Sequence, residues 1–183
     1  DVDRMKKIES LGHEIAYHYE VLVKSGGDYG LAIKFFEEDL AMFRKNSFEI
    51  KTATFHGSPY SKFDSRDIWQ HVSFQKFRLI GLGYHSIDCS NIFYMTDTGR
   101  TFSETSANVR DRPQGSFLIQ ESVRSSKDII DFASKKHRNI YLVTHPVRWS
   151  EGYIDWAWEY IFQNSKNIGK SILSKIYNKT SKG

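Results

Sequence analysis

A single cysteine, Cys89, is all the thiol chemistry this chain can offer. That excludes an internal disulfide framework and any multi-cysteine zinc site, so a bound metal would have to rest on histidine and carboxylate. Long apolar runs are missing as well, and no stretch approaches the roughly 18 residues of a membrane span. Acidic residues are missing from Asn164 onwards, where Lys166, Lys170, Lys175, Lys179 and Lys182 stand without a counter-charge. The net charge is +4, so these five lysines leave −1 for everything before them. A nucleic-acid footprint needs basic residues interleaved with aromatics across the fold, and no nucleic-acid partner is expected. The lysine-rich end has two readings: contact with an anionic membrane surface, or a solvated helix end whose lysines complement the helix dipole. Internal repeats and low-complexity segments are also lacking. The chain opens Asp1-Val2-Asp3-Arg4 straight into a helical pattern rather than a secretory leader, and a cytoplasmic location is expected.

What is present suits one large domain spanning residues 1–183, with 39% hydrophobic and 26% charged residues. The aromatic share, 15%, fits ring-stacking sugar sites and fits a well-filled core equally. Met5, Ile8 and Leu11 at helical spacing predict a helix from Asp3 to Leu11, stopped at Gly12. His13 to Tyr19 alternates as a strand. A helix is expected over Tyr29–Lys45, capped by Asp28, with Leu31, Phe35, Leu40, Met42 and Phe43 as its apolar stripe. Ile50–Phe55 reads as a strand, Arg66–Trp69 as a helical turn, and the region from Phe77 to Thr98 as short strands broken by glycines. Ser126-Lys127-Asp128 caps a further helix reaching about Lys136. Asn139–Thr144 reads as a strand, and a long basic helix runs from about Tyr153 to Tyr177, with a possible break near Gly169. Helices alternating with strands predict an α/β architecture with functional residues just past the strand ends.

The densest cluster of ligand types is Gly12-His13-Glu14-Ile15-Ala16-Tyr17-His18-Tyr19-Glu20. Strand alternation places Glu14, Ala16, His18 and Glu20 on one face and His13, Ile15, Tyr17 and Tyr19 on the other. His18 reads as a metal ligand or as a satisfied core histidine. His56, in Phe-His-Gly-Ser-Pro-Tyr, reads as a rim residue or as a turn histidine bonding its own loop. His145, in Thr-His-Pro-Val-Arg-Trp, stands where a strand stops at Pro146, which suits a general acid. The turn Asp97-Thr98-Gly99-Arg100 could orient a catalytic histidine, bind sugar hydroxyls or be an ordinary turn. His71, His85 and His137 have no supporting context, and Cys89 has no base near it in sequence.

Gly12-His13-Glu14-Ile15-Ala16-Tyr17-His18 resembles the signature of the NodB-like polysaccharide deacetylases, the carbohydrate esterase family four superfamily, and more closely a branch associated with surface-polysaccharide biosynthesis. Phe55–Trp69, Tyr94–Arg100 and His145–Trp149 carry the rest of the likeness, in the expected order. The resemblance implies a distorted (β/α) barrel of the glycoside hydrolase/deacetylase type. It also implies a divalent metal, usually zinc, and hydrolysis of an N-acetyl group on a sugar in O-antigen or capsule assembly. His18 matches the first histidine ligand and His145 the segment that supplies the acid. The position of the second ligand holds Leu22, so His56 is expected to replace it. An aspartate pair after the family's first strand has no counterpart and is expected upstream of Asp1, which leaves the barrel without its N-terminal strands in this chain. Asp97 and His145 are then the expected catalytic residues. Tyr60, Arg100, Arg148 and Trp149 are the expected substrate contacts. The alternative is a non-catalytic carbohydrate-binding or scaffolding protein on the same barrel, without the metal triad.

Overall fold

The computed structural model describes the chain apart from residues 58–60, 99–101, 103–112, 114, 119–122, 136–138, 147–148, 151 and 181–183, and apart from the side chains of 135, 163, 167 and 170–180. The chain falls into two compact units, Asp1–Ile87 and Asp88–Gly183.

In the first unit, helix α1 (Val2–Ser10) is capped by Asp1, whose carboxylate accepts from Arg4 N. It buries no side chain. Strand β1 (Tyr17–Tyr19) is followed at once by a one-turn helix, α2 (Val21–Lys24), and then by α3 (Tyr29–Lys45). Asp28 caps α3 by accepting from Leu31 N at 2.9 Å. Strand β2 (Thr52–Phe55) lies between β1 and β3 (Gly81–Leu82) in a three-stranded parallel sheet. Two 3-10 turns, Ser65–Gln70 and Phe74–Phe77, occupy the connection from β2 to β3.

The core of this unit is aromatic. The pleat of β1 buries Tyr17 and Tyr19 and exposes His18. Both tyrosine rings meet Phe36 of α3, at centroid distances of 5.0 and 5.3 Å. Trp69 and Phe77 close on the same ring at 5.2 and 4.9 Å. The buried face of α3 is therefore Ala32, Phe36 and Leu40 at i, i+4 and i+8. Of the expected stripe only Leu40 is fully buried, while Leu31 and Met42 are exposed. A stripe read from hydrophobicity alone cannot tell which of two adjacent phenylalanines the strand rings will reach. One glycine has a steric reason: Gly27 has φ +93°, and a Cβ there would lie 2.3 Å from the Phe63 ring.

The second unit pairs β4 (Phe93–Thr96) with β5 (Ile140–Val143) in parallel, with α4 (Ser126–Lys135) in the connection between them. Tyr94, Met95 and Thr96 are all buried, as expected of a parallel strand covered on both faces. Phe93 packs on Phe132 of α4 at 4.9 Å. The unit ends in α5 (Tyr153–Thr180), which continues through Gly169 without the break considered for it. Among the described residues, no helix is long and apolar enough to cross a membrane.

Candidate functional site

Two pairs of the expected residues meet, one in each unit. In the first, β1 and β2 run parallel with His18 opposite Thr54 and Tyr19 opposite Phe55. The ladder continues one step past β2, where His56 N donates to Tyr19 O at 2.8 Å. His56 is two residues beyond Thr54, so its side chain falls on the same face as His18. The result is an approach of 3.1 Å between His18 Nε2 and His56 Nδ1, with the rings at 79°. Glu14, on that face too, accepts from Thr52 Oγ1 at 2.8 Å. Tyr17, Tyr19, Ala53 and Phe55 line the opposite, buried face.

A nitrogen separation of 3.1 Å admits two states. Neutral imidazoles of suitable tautomers share one N–H···N hydrogen bond. Alternatively, both lone pairs point at one ion. Two nitrogens each about 2.0–2.1 Å from a metal stand about 2.9 Å apart at a right angle and about 3.3 Å apart at the tetrahedral angle. The separation of 3.1 Å falls between those two values. No third histidine, cysteine, aspartate or glutamate joins it among the described residues. Leu22, at the position where the resemblance places a second ligand, is a fully buried core residue of α2.

In the second unit the geometry is that of an oriented histidine. β4 and β5 end side by side with Thr96 opposite Val143, and Asp97 N extends the ladder to Val143 O at 3.2 Å. Asp97 and His145 thus leave neighbouring parallel strands at their C-terminal ends, where α/β proteins place ligand-handling groups. The Asp97 carboxylate takes both donors His145 offers it: the backbone N–H at 2.8 Å and Nδ1 at 2.5 Å. Asp97 is only 9% exposed, and a carboxylate that deep needs such partners. An acceptor on Nδ1 selects the Nδ1–H tautomer and puts the lone pair of the neutral ring on Nε2.

Of the remaining expected residues, Trp149 is 68% exposed. Its backbone N–H donates to Pro146 O at 2.9 Å. Tyr60, Arg100 and Arg148 lie outside the described residues. His18 stands in the middle of β1 rather than at a strand end, so the pleat and not the rim delivers it.

Sequence reasoning missed the polar groups beneath the histidine face. Trp69 Nε1–H donates to the Tyr19 hydroxyl at 2.6 Å, and the Tyr17 hydroxyl donates to Asp39 of α3. Burial pushes both phenols above the usual tyrosine range. The bond to Asp39 adds to this for Tyr17, and the bond from Trp69 partly offsets it for Tyr19. Asp64 caps the first 3-10 turn through Arg66 N and grips the Arg66 guanidinium, whose plane lies over the Phe55 ring. That hydrogen bonding from Asp64 raises the Arg66 pKa. The Phe-Asp-Ser-Arg-Asp-Ile-Trp run therefore has a structural use beneath the sheet. The Cys89 thiol is buried and pushed up by that burial, which does not suit a nucleophile.

Comparison of the chain with protein-family models, with curated proteins and with solved structures returns no match.

Proposed function

We propose that the chain is a metal-dependent, deacetylase-like protein that acts in the cytoplasm on an N-acetylated sugar of surface-glycan assembly, on a distorted (β/α) barrel framework. One observation carries this reading: the 3.1 Å approach of His18 Nε2 and His56 Nδ1 on the polar face of a parallel sheet. The pair would hold a divalent ion, zinc by preference of its imidazole donors. When bound, the ion supplies positive charge that polarises an acyl oxygen and acidifies water.

The chain's own residues supply the proton handling. Asp97 holds the His145 ring through Nδ1 and stabilises it when it is protonated. Nε2 then gives its proton to the departing sugar amine, which cannot leave as an amide anion. Tyr60, Arg100, Arg148 and Trp149 would contact the sugar, with Trp149 as a stacking plane. Acetate release from N-acetylated oligosaccharides by zinc-loaded protein tests the reading, and His145→Ala is expected to lower the rate by about 10²–10⁴-fold.

A second reading has an observation of its own. Only two donors meet among the described residues, and the expected ligand position is occupied by buried Leu22. A carbohydrate-binding or scaffolding protein without turnover follows from that. Sugar binding with no acetate release in the presence of zinc selects it.

A further inference from the structure

Helix α5 belongs to the second unit. Its first turns present an apolar stripe in which Ile154, Trp158, Ile161 and Ile168 recur at i, i+4, i+7 and i+14, all on one face of a 3.6-residue helix. All four are exposed, Ile154 to 75% and Trp158 to 70%. At about 100° per residue Tyr153 and Phe162 flank the stripe and are exposed, while Trp156 and Tyr160, stacked at 5.3 Å, share the far side of the helix with Asp155 and Glu159. Beyond them the chain changes character, with five lysines and no acid from Asn164 to the end. Lys166 bridges the two regions, its Nζ 4.0 Å from the Phe162 ring centroid.

We propose that α5 lies along an anionic membrane surface, with the stripe through Ile154, Trp158, Ile161 and Ile168 turned towards the acyl chains. Tryptophan and tyrosine favour the headgroup level, where an apolar ring body and a polar edge are both satisfied. A helix with a wide apolar face and a lysine-rich end sinks its apolar side into that boundary and pairs its lysines with lipid phosphate or carboxylate. Charge complementarity favours this occupant over a second copy in parallel register, which would set the lysine-rich ends against each other. The inference is independent of the chemistry assigned to the histidines.

Flotation of the full chain with phosphatidylcholine vesicles, with and without about 30% phosphatidylglycerol, tests it. Retention on the anionic vesicles is expected to be at least tenfold stronger than on the neutral ones and to fall about tenfold in about 0.5 M salt. The double variant Trp158→Glu/Ile161→Glu changes exposed positions only, so its circular dichroism is expected to match the parent while anionic-vesicle binding drops at least tenfold. Lys175→Glu/Lys179→Glu is expected to weaken binding to the anionic vesicles alone. No binding, binding indifferent to lipid charge and salt, or binding unchanged by Trp158→Glu/Ile161→Glu overturns the proposal. A dimer in light scattering that this variant abolishes, without vesicle binding, overturns it in favour of a second copy.

Discussion

Asp97 shows how much one carboxylate can decide. Its two contacts to His145, one to the main chain and one to the ring, fix both the position of the residue and its tautomer. Asp97→Asn keeps the shape but offers Nδ1 an amide in place of a charge. Nitrogen NMR of the His145 ring is expected to show the Nδ1–H tautomer in the parent and a mixture in the variant. A purely structural role would lower the melting temperature without moving that signature. The contact of Asp97 with a histidine was legible in the sequence only as one of three options, because nothing local to Asp-Thr-Gly-Arg reveals that the partner is 48 residues away. Gly27 is the converse case, a residue whose reason is steric. Gly27→Ala is expected to destabilise by more than about 1 kcal/mol in urea unfolding, since both its positive φ and the Phe63 ring oppose a side chain.

At the scale of elements, α3 was legible to the residue. Asp28 supplies the cap and the periodic run ends at Lys45, as the spacing predicts. The strand expected over His13–Tyr19 is shorter, only Tyr17–Tyr19. Alternation describes side-chain direction, but a ladder exists only where a partner runs alongside. β2 begins at Thr52, and Glu14 meets it through a side chain instead. The four-residue α2 and the turn Phe74–Phe77 escaped because neither is long enough to show a period.

Packing depends on α3 through one ring. Phe36→Ala is expected to cost about 3–5 kcal/mol, because four aromatic rings lose a common neighbour and the cavity cannot close around rigid groups. The start of α4 is governed by charge. Ser125 Oγ accepts from Asp128 N, and the Asp128 carboxylate accepts from Ser125 N and Arg124 N, a reciprocal cap one residue earlier than the sequence suggests. These backbone bonds, Arg124 N–H foremost, hold the Asp128 pKa below the usual carboxylate range. A depressed folded-state pKa contributes stability that is fully present above the unfolded value of about 3.9. That contribution is lost as pH falls through the lowered folded value. Amide protection in the first turn of α4, corrected for the intrinsic pH dependence of exchange, is expected to fall over that acid range in the parent. In Asp128→Ala the corrected protection is expected to be low and insensitive to the same change.

Across the whole molecule, the sequence revealed more of the site's composition than of its arrangement. The residue types and their order along the chain pointed to His18, His56, Asp97 and His145. The contacts that couple them run through two separate parallel sheets, which no local spacing encodes. The two compact units each hold their own sheet and one of the two pairs. If His18 and His56 share an ion, folding and metal binding are linked, and the native state gains stability with free ion concentration. At about 100 times the dissociation constant this amounts to about 2.7 kcal/mol.

Equilibrium zinc titration of the full chain, with metal content per chain and melting temperature read on the same samples, therefore bears most directly on the site. The His18–His56 pair predicts about one ion per chain and a melting temperature that rises with zinc. Both effects should be lost in His18→Ala and in His56→Ala, whose exposed side chains leave the metal-free melting temperature within about the ±0.5 kcal/mol range of surface substitutions. Absence of bound ion in the parent, or the same stoichiometry in both variants, would contradict the assignment of these two histidines as a metal pair.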